Sequence, residues 1–209
     1  MRREFFEPQF RQAAADYFQL LNKGYPEKRT RLLVADRYQL NTAQRSVLYR
    51  GVFPEEVNRR RSGRLIAAAE IRQEKLLIDF LNLGYLLMNY LYGRNLFIAT
   101  DGVLRDDGEN YGEFSSATII SQVLELIRTA LTELNPAEVE LVVDRPHFPL
   151  SFKLVSDDAV LISADSRIID RSTLRVCDLG YFILSRTYNA VFPNLTDLIQ
   201  TDHGKTPLQ

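Results

Sequence analysis

Apolar positions along residues 8–23 recur at spacings of three and four. Phe10, Ala14, Tyr17, Phe18 and Leu21 interleave with Gln9, Arg11, Gln12, Asp16 and Gln19, which predicts an amphipathic helix ended by Gly24 and Pro26. A second helix is expected from Glu27 to Tyr38, burying Leu32, Leu33 and Ala35. A third, TAQRSVLYRGV, has Asn41 or Thr42 as its cap and is closed by Gly51 and Pro54. From Leu76 onward the pattern changes to short apolar runs alternating with helical stretches. The runs at 76–80 and 95–100 flank a helical segment over 83–92, the signature of a strand, a crossover helix and a parallel strand.

Further along, Ser115 or Ser116 caps a long helix to Leu134, with Ile119, Ile120, Val123, Leu124, Ile127 and Leu131 on its apolar stripe. VELVVD predicts a third strand ending at Asp144, and AVLIS a fourth that leads into Asp165 and a short helix to Asp170. Residues 181–184 read as a fifth strand and 195–200 as a peripheral helix. Together these elements predict an α/β domain over residues 63–209, with a parallel sheet between helical layers. A small basic helical subdomain, residues 1–62, precedes it, with the boundary at Ser62-Gly63.

Composition changes this picture in one respect. The net charge of −1 conceals a split, since residues 1–75 carry +7 and residues 76–209 carry −8. A basic arm joined to an acidic body suits a phosphate-rich partner at one end and a metal-binding site at the other. The basic charge is densest at Arg59, Arg60, Arg61 and Arg64, a cluster suited to nucleic-acid backbone phosphates; the plainer reading is a solvated helix end. A single cysteine, Cys177, excludes an internal disulfide framework and fits a reducing compartment. No apolar run approaches a membrane span, and the first residues lack the apolar centre of a signal peptide, so a cytoplasmic location is expected.

Four predicted strands finish on, or just before, an aspartate: Asp79, Asp101, Asp144 and Asp165. In open parallel sheets the carboxyl edge is where ligands bind. Each of these residues has a plainer reading as a helix cap or turn former. Four together call for a counter-ion, because two carboxylates ~4 Å apart repel by about 4 kcal/mol at an effective dielectric near 20. Mg²⁺ or Mn²⁺, which prefer oxygen ligands, would supply it. Asn82, Ser163 and Ser166 stand close enough in sequence to support Asp79 and Asp165 by hydrogen bonds.

The run IDFLNLGY, then FIATDGVLRDDGENYG, VELVVDRP, LISADSRIIDRS and DLGYFIL, resembles an uncharacterised prokaryotic family. In it a basic helical segment, similar to RYQLNTAQRSVLYR here, precedes a PIN-like domain. The resemblance covers residues 36–184 and implies a three-layer PIN-like fold. It also implies metal-dependent nuclease activity on RNA or sometimes DNA, with acids at the carboxyl edge of a parallel sheet. Asp79 matches the acid closing the first strand, and Ser163-Ala164-Asp165 the later Ser/Thr-x-Asp. Asp144 looks like a further acid of the set, and Asp101 matches an Asp-Gly. The chain departs from the pattern between Asp144 and Ala159, where only RPHFPLSFKLVSDD stands in place of a fuller turn and helix.

The expected function is endonucleolytic phosphodiester cleavage, of RNA first. Asp79, Asp144 and Asp165, with Asp101, would hold the metal, and Arg59–Arg64 would steer the strand. The alternative is a catalytically inactive PIN-like module that binds nucleic acid or assembles, including with a second copy of the chain. A haloacid-dehalogenase-like phosphatase fits less well. It needs an Asp two residues beyond the first, where Leu81 stands, and a suitable lysine, for which only Lys153 is near.

Overall fold

A computed structural model of the chain describes residues 7–108, 116–142 and 159–200. In chain order the helices are α1 (Pro8–Asn22), α2 (Glu27–Arg37), α3 (Thr42–Gly51), α4 (Glu55–Ser62), α5 (Phe80–Leu91), α6 (Ala117–Leu134), α7 (Ser166–Arg171), α8 (Leu179–Tyr188) and α9 (Leu195–Gln200). The strands are β1 (Leu65–Ile66), β2 (Lys75–Asp79), β3 (Leu96–Ile98), β4 (Leu104–Asp106), β5 (Glu138–Val142), β6 (Ala159–Ile162) and β7 (Arg175–Cys177). These elements form two units, each made of separate stretches of the chain. The first contains residues 7–62, 93–108 and 192–200, and the second residues 63–92, 116–142 and 159–191.

The first unit is helical and holds one short hairpin. Phe10, Ala14 and Tyr17 of α1, Val34 and Ala35 of α2 and Val47 and Leu48 of α3 share its core with Phe97 and Leu195. Asn41 starts α3 with a capping box: its side chain accepts from Gln44 N–H at 2.9 Å, and Gln44 Oε1 accepts from Asn41 N–H at 3.1 Å. Leu32 and Leu33 do not enter the core as expected; they are exposed, and Thr30 and Val34 take the inward positions of α2. The second unit is a parallel sheet in the order β1-β7-β6-β2-β5, preceded in the chain by the helices and flanked by helices of its own. Its central strands β2 and β6 are almost wholly buried, which explains their unbroken apolar runs.

Two further sequence expectations fail here. The run at 95–100 is not a parallel neighbour of β2. It forms β3, which pairs antiparallel with β4 in the helical unit, Phe97 facing Arg105. Thr100 and Asp101 form the corner of the tight turn between them, Gly102 N–H donating to the Ala99 carbonyl at 2.9 Å and Gly102 following at φ +86°. A short apolar run carries no information on strand direction, whereas Asp-Gly between two strands is a hairpin signal. Residues 181–184 are likewise not a strand but part of α8. The Asp178 side chain caps that helix by accepting from Tyr181 N–H at 2.8 Å, and Leu179, Ile183 and Leu184 are buried at helical spacing.

Gly51, the last residue of α3, is buried where no side chain fits. A Cβ there would lie 2.4 Å from Leu195 Cδ1 and 2.6 Å from Phe97 Cε2, both on fully buried residues. Gly51→Ala is expected to destabilise the chain by about 1–3 kcal/mol in urea unfolding. An unchanged midpoint would mean that this core is loosely packed.

Candidate functional site

Parallel pairing of β2 with β6, in register Ile78↔Ile162, brings together residues far apart in the sequence. Asp79 is the last residue of β2, and Ser163 directly follows β6. Ser163 Oγ donates to Asp79 Oδ2 at 2.8 Å and accepts from Asp165 N–H at 3.0 Å, so one buried hydroxyl joins the two acids. Asn82 supports Asp79 as expected, its Nδ2 donating to Oδ2 at 2.5 Å and its N–H to Oδ1 at 3.4 Å. Ser166 opens α7. Both acids also cap helices, Asp79 for α5 and Asp165 for α7.

The two carboxylates have different electrostatics. Asp79 is 1% exposed, and burial raises its pKa above the usual range. Hydrogen bonds from Ser163 and Asn82 oppose the rise, and the charge of Asp165 adds to it. Burial would also raise Asp165, but Arg167 outweighs that and holds it below the usual range. The Arg167 guanidinium meets the Asp165 carboxylate in a bidentate pair, Nη2 to Oδ2 at 2.8 Å and Nε to Oδ1 at 3.3 Å.

The other predicted site residues part from this pair. Asp101 is not at the sheet edge. It belongs to the helical unit and is fully buried between two arginines, with Arg61 Nη1 at 2.9 Å from Oδ2 and Arg105 at 2.6 and 2.8 Å from its two oxygens. Burial alone would raise its pKa, yet Arg105 and Arg61 hold it low. Both guanidiniums also lie over the Phe53 ring, at 4.2 and 5.1 Å from its centroid. Asp101 is a structural ion-pair partner, and its oxygens are already taken. Asp144 lies outside the described residues.

The arginine cluster does not form one nucleic-acid-binding surface. Arg61 is buried on Asp101, and Arg64 donates to the Ile169 carbonyl at 2.8 Å and to the Ser172 carbonyl. Arg59 and Arg60 remain exposed, Arg59 paired with Glu55 one helical turn away. Sequence reasoning also missed Asp178, which follows β7 as Asp79 ends β2 and lines a recess of about 10 Å³ together with Ser163. Its signal was the Val-Cys-Asp run before Leu179, hidden by reading the next residues as a strand. Cys177 beside it is buried, and burial pushes its thiol up to about 12, where it stays protonated.

Among the described residues no three His, Cys, Asp or Glu side chains gather into a metal-holding group. Were Arg167 to release Asp165, whose two oxygens it holds, Asp79 and Asp165 would present an oxygen-only donor pair. That suits Mg²⁺ or Mn²⁺, because Mg²⁺ is commonly held by one or two carboxylates and retains waters.

The class these observations define is a helical domain with a parallel α/β unit that carries an acid pair at its carboxyl edge. Residues 9–64 match the family described as protein of unknown function (DUF434), and residues 68–148 match the domain of unknown function (DUF5616). The chain thus carries two uncharacterised family domains in tandem, in keeping with its resemblance to an uncharacterised family. No curated protein and no solved structure matches it. Among the described residues no helix is long and apolar enough to cross a membrane.

Two measurements separate the roles of Asp79 and Asp101. A carboxyl whose pKa is raised on folding costs stability above that raised pKa, and the cost disappears as pH falls through it. The stability of Asp79→Asn relative to the wild type is therefore expected to fall as pH drops from about 7 to about 4, toward the ordinary carboxylate range. Parallel pH profiles would contradict the assignment. Asp101→Asn weakens a carboxylate shared by two buried guanidiniums and is expected to cost about 3–5 kcal/mol in unfolding experiments. A cost below about 1 kcal/mol would contradict its structural role.

Proposed function

We propose that the sheet unit is a divalent-metal-dependent phosphodiesterase, PIN-like in kind, that cuts RNA endonucleolytically in the cytoplasm. The observation that carries this reading is Asp79. An asparagine or serine caps a helix about as well as an aspartate. A buried carboxylate beside a second acid is the costly choice, and its raised pKa expresses that cost. Perturbed carboxyls of this kind cluster at functional sites.

Asp79 and Asp165 would hold Mg²⁺ or Mn²⁺, with Asp144 as the third acid that the resemblance implies. Bound there, such an ion would supply positive charge to a phosphate under attack and would lower the pKa of a water toward neutral. Ser163 and Asn82 fix the rotamer of Asp79 through the hydrogen bonds described above. Arg59 and Arg60, the exposed members of the predicted cluster, would attract the strand, a contribution that salt will weaken.

A second reading has its own support. Arg167 already neutralises Asp165, as it would in a module that binds without cutting. Labelled single-stranded RNA incubated with Mn²⁺ separates the two. The wild type is expected to cut, and an Asp79→Asn/Asp165→Asn double variant to lose at least about a hundredfold in rate. Equal cutting by both proteins would assign the activity elsewhere. Absence of Mn²⁺ binding by calorimetry at millimolar concentration would favour the inert module.

A further inference from the structure

Leu33 of α2 is 60% exposed, although its place in a helix next to the core would suit burial. It lines a groove of about 290 Å³ between α1 and α2, within the helical unit. Leu20 and Val34 add to the apolar lining, and Asp16, Lys23 and Arg37 bring charge to it. Asp16 Oδ2 accepts from the Tyr38 hydroxyl at 2.7 Å, and the Arg37 guanidinium lies over the Tyr38 ring, 5.6 Å from its centroid. Lys23 is exposed and has no carboxylate partner among the described residues. Asp16 lies on α1 and Lys23 directly follows that helix, about two turns further on, with Leu20 between them.

This order of charges is its own complement. A second α1 laid antiparallel across the groove, with a two-fold axis beside Leu20, sets Asp16 against the partner's Lys23 twice over. Other occupants fit less well. Nucleic acid would meet aliphatic side chains and a carboxylate, and an acidic helix would leave Asp16 facing like charge.

We propose that the chain forms a two-fold homodimer through the α1–α2 groove, with reciprocal Asp16–Lys23 ion pairs around a centre of Leu20 and Leu33. The two helical hairpins then pack as a four-helix arrangement. Burial of the exposed leucines supplies the attraction. The ion pairs set the direction, because parallel helices would place Asp16 against Asp16 and Lys23 against Lys23.

Sedimentation equilibrium of the full-length chain from about 1 to about 200 µM reads the dimerisation constant directly. Leu33→Glu, Lys23→Glu and the charge swap Asp16→Lys/Lys23→Asp are compared with the wild type, each checked by circular dichroism for an unchanged fold. The swap keeps a donor for the Tyr38 oxygen. The wild type is expected to be dimeric in the upper part of this range. Leu33→Glu and Lys23→Glu are expected to weaken the dimer about tenfold or more, and the swap to return to within about threefold of the wild type. A wild type that stays monomeric would leave the groove to a different molecule and overturn the proposal. So would a dimer that Leu33→Glu does not weaken, or a swap that dimerises no better than Lys23→Glu. The acid pair at the sheet edge is untouched by any of these results.

Discussion

Everything at the candidate site depends on one pairing, the parallel ladder between β2 and β6. Their register sets Ile78 against Ile162, so the next residues, Asp79 and Ser163, emerge side by side at the carboxyl edge. The Ser163 hydroxyl then donates to one acid and accepts from the backbone of the other. A shift of one residue would turn Asp79 to the opposite face and break that bridge. The buried side chains of both strands resist such a shift, because the shift would misalign two packed apolar faces.

Buried charge is handled in two ways in this chain. Around Asp101 the charges are matched: two guanidiniums and an aromatic face surround one carboxylate, whose pKa is held low. This arrangement ties α4 to the β3–β4 hairpin within the helical unit. It is demanding to build but leaves no unmet electrostatic requirement on that carboxylate. Around Asp79 the neighbours are a hydroxyl, an amide and a second acid, and the pKa rises. Asp165 beside it is paired with Arg167, so the contrast that separates a structural aspartate from a candidate ligand lies at Asp79 itself.

Much of this was legible in the sequence, for identifiable reasons. Helices α1 and α3 announced themselves by periodicity and by the Asn41 cap, and β2, β5 and β6 by apolar runs next to acids. Asp79, Asn82, Ser163 and Asp165 could be grouped because strand ends in a parallel sheet share an edge. Strand direction was not legible. Residues 96–98 look the same paired parallel or antiparallel, so Asp101 was assigned to the wrong unit. Leu179, Ile183 and Leu184 were similarly ambiguous until the Asp178 cap made them a helix. The arginine run failed for another reason: charge density along the chain does not say which guanidiniums point inward, and Arg61 and Arg64 are consumed by long-range partners.

The central claim is that Asp79 and Asp165 coexist at one edge in order to share a dication. A crystal structure of the chain grown with Mn²⁺, with data collected at the manganese edge, tests it most directly. The account predicts an anomalous peak about 2.0–2.3 Å from an oxygen of each carboxylate. No peak there at millimolar Mn²⁺ would contradict it.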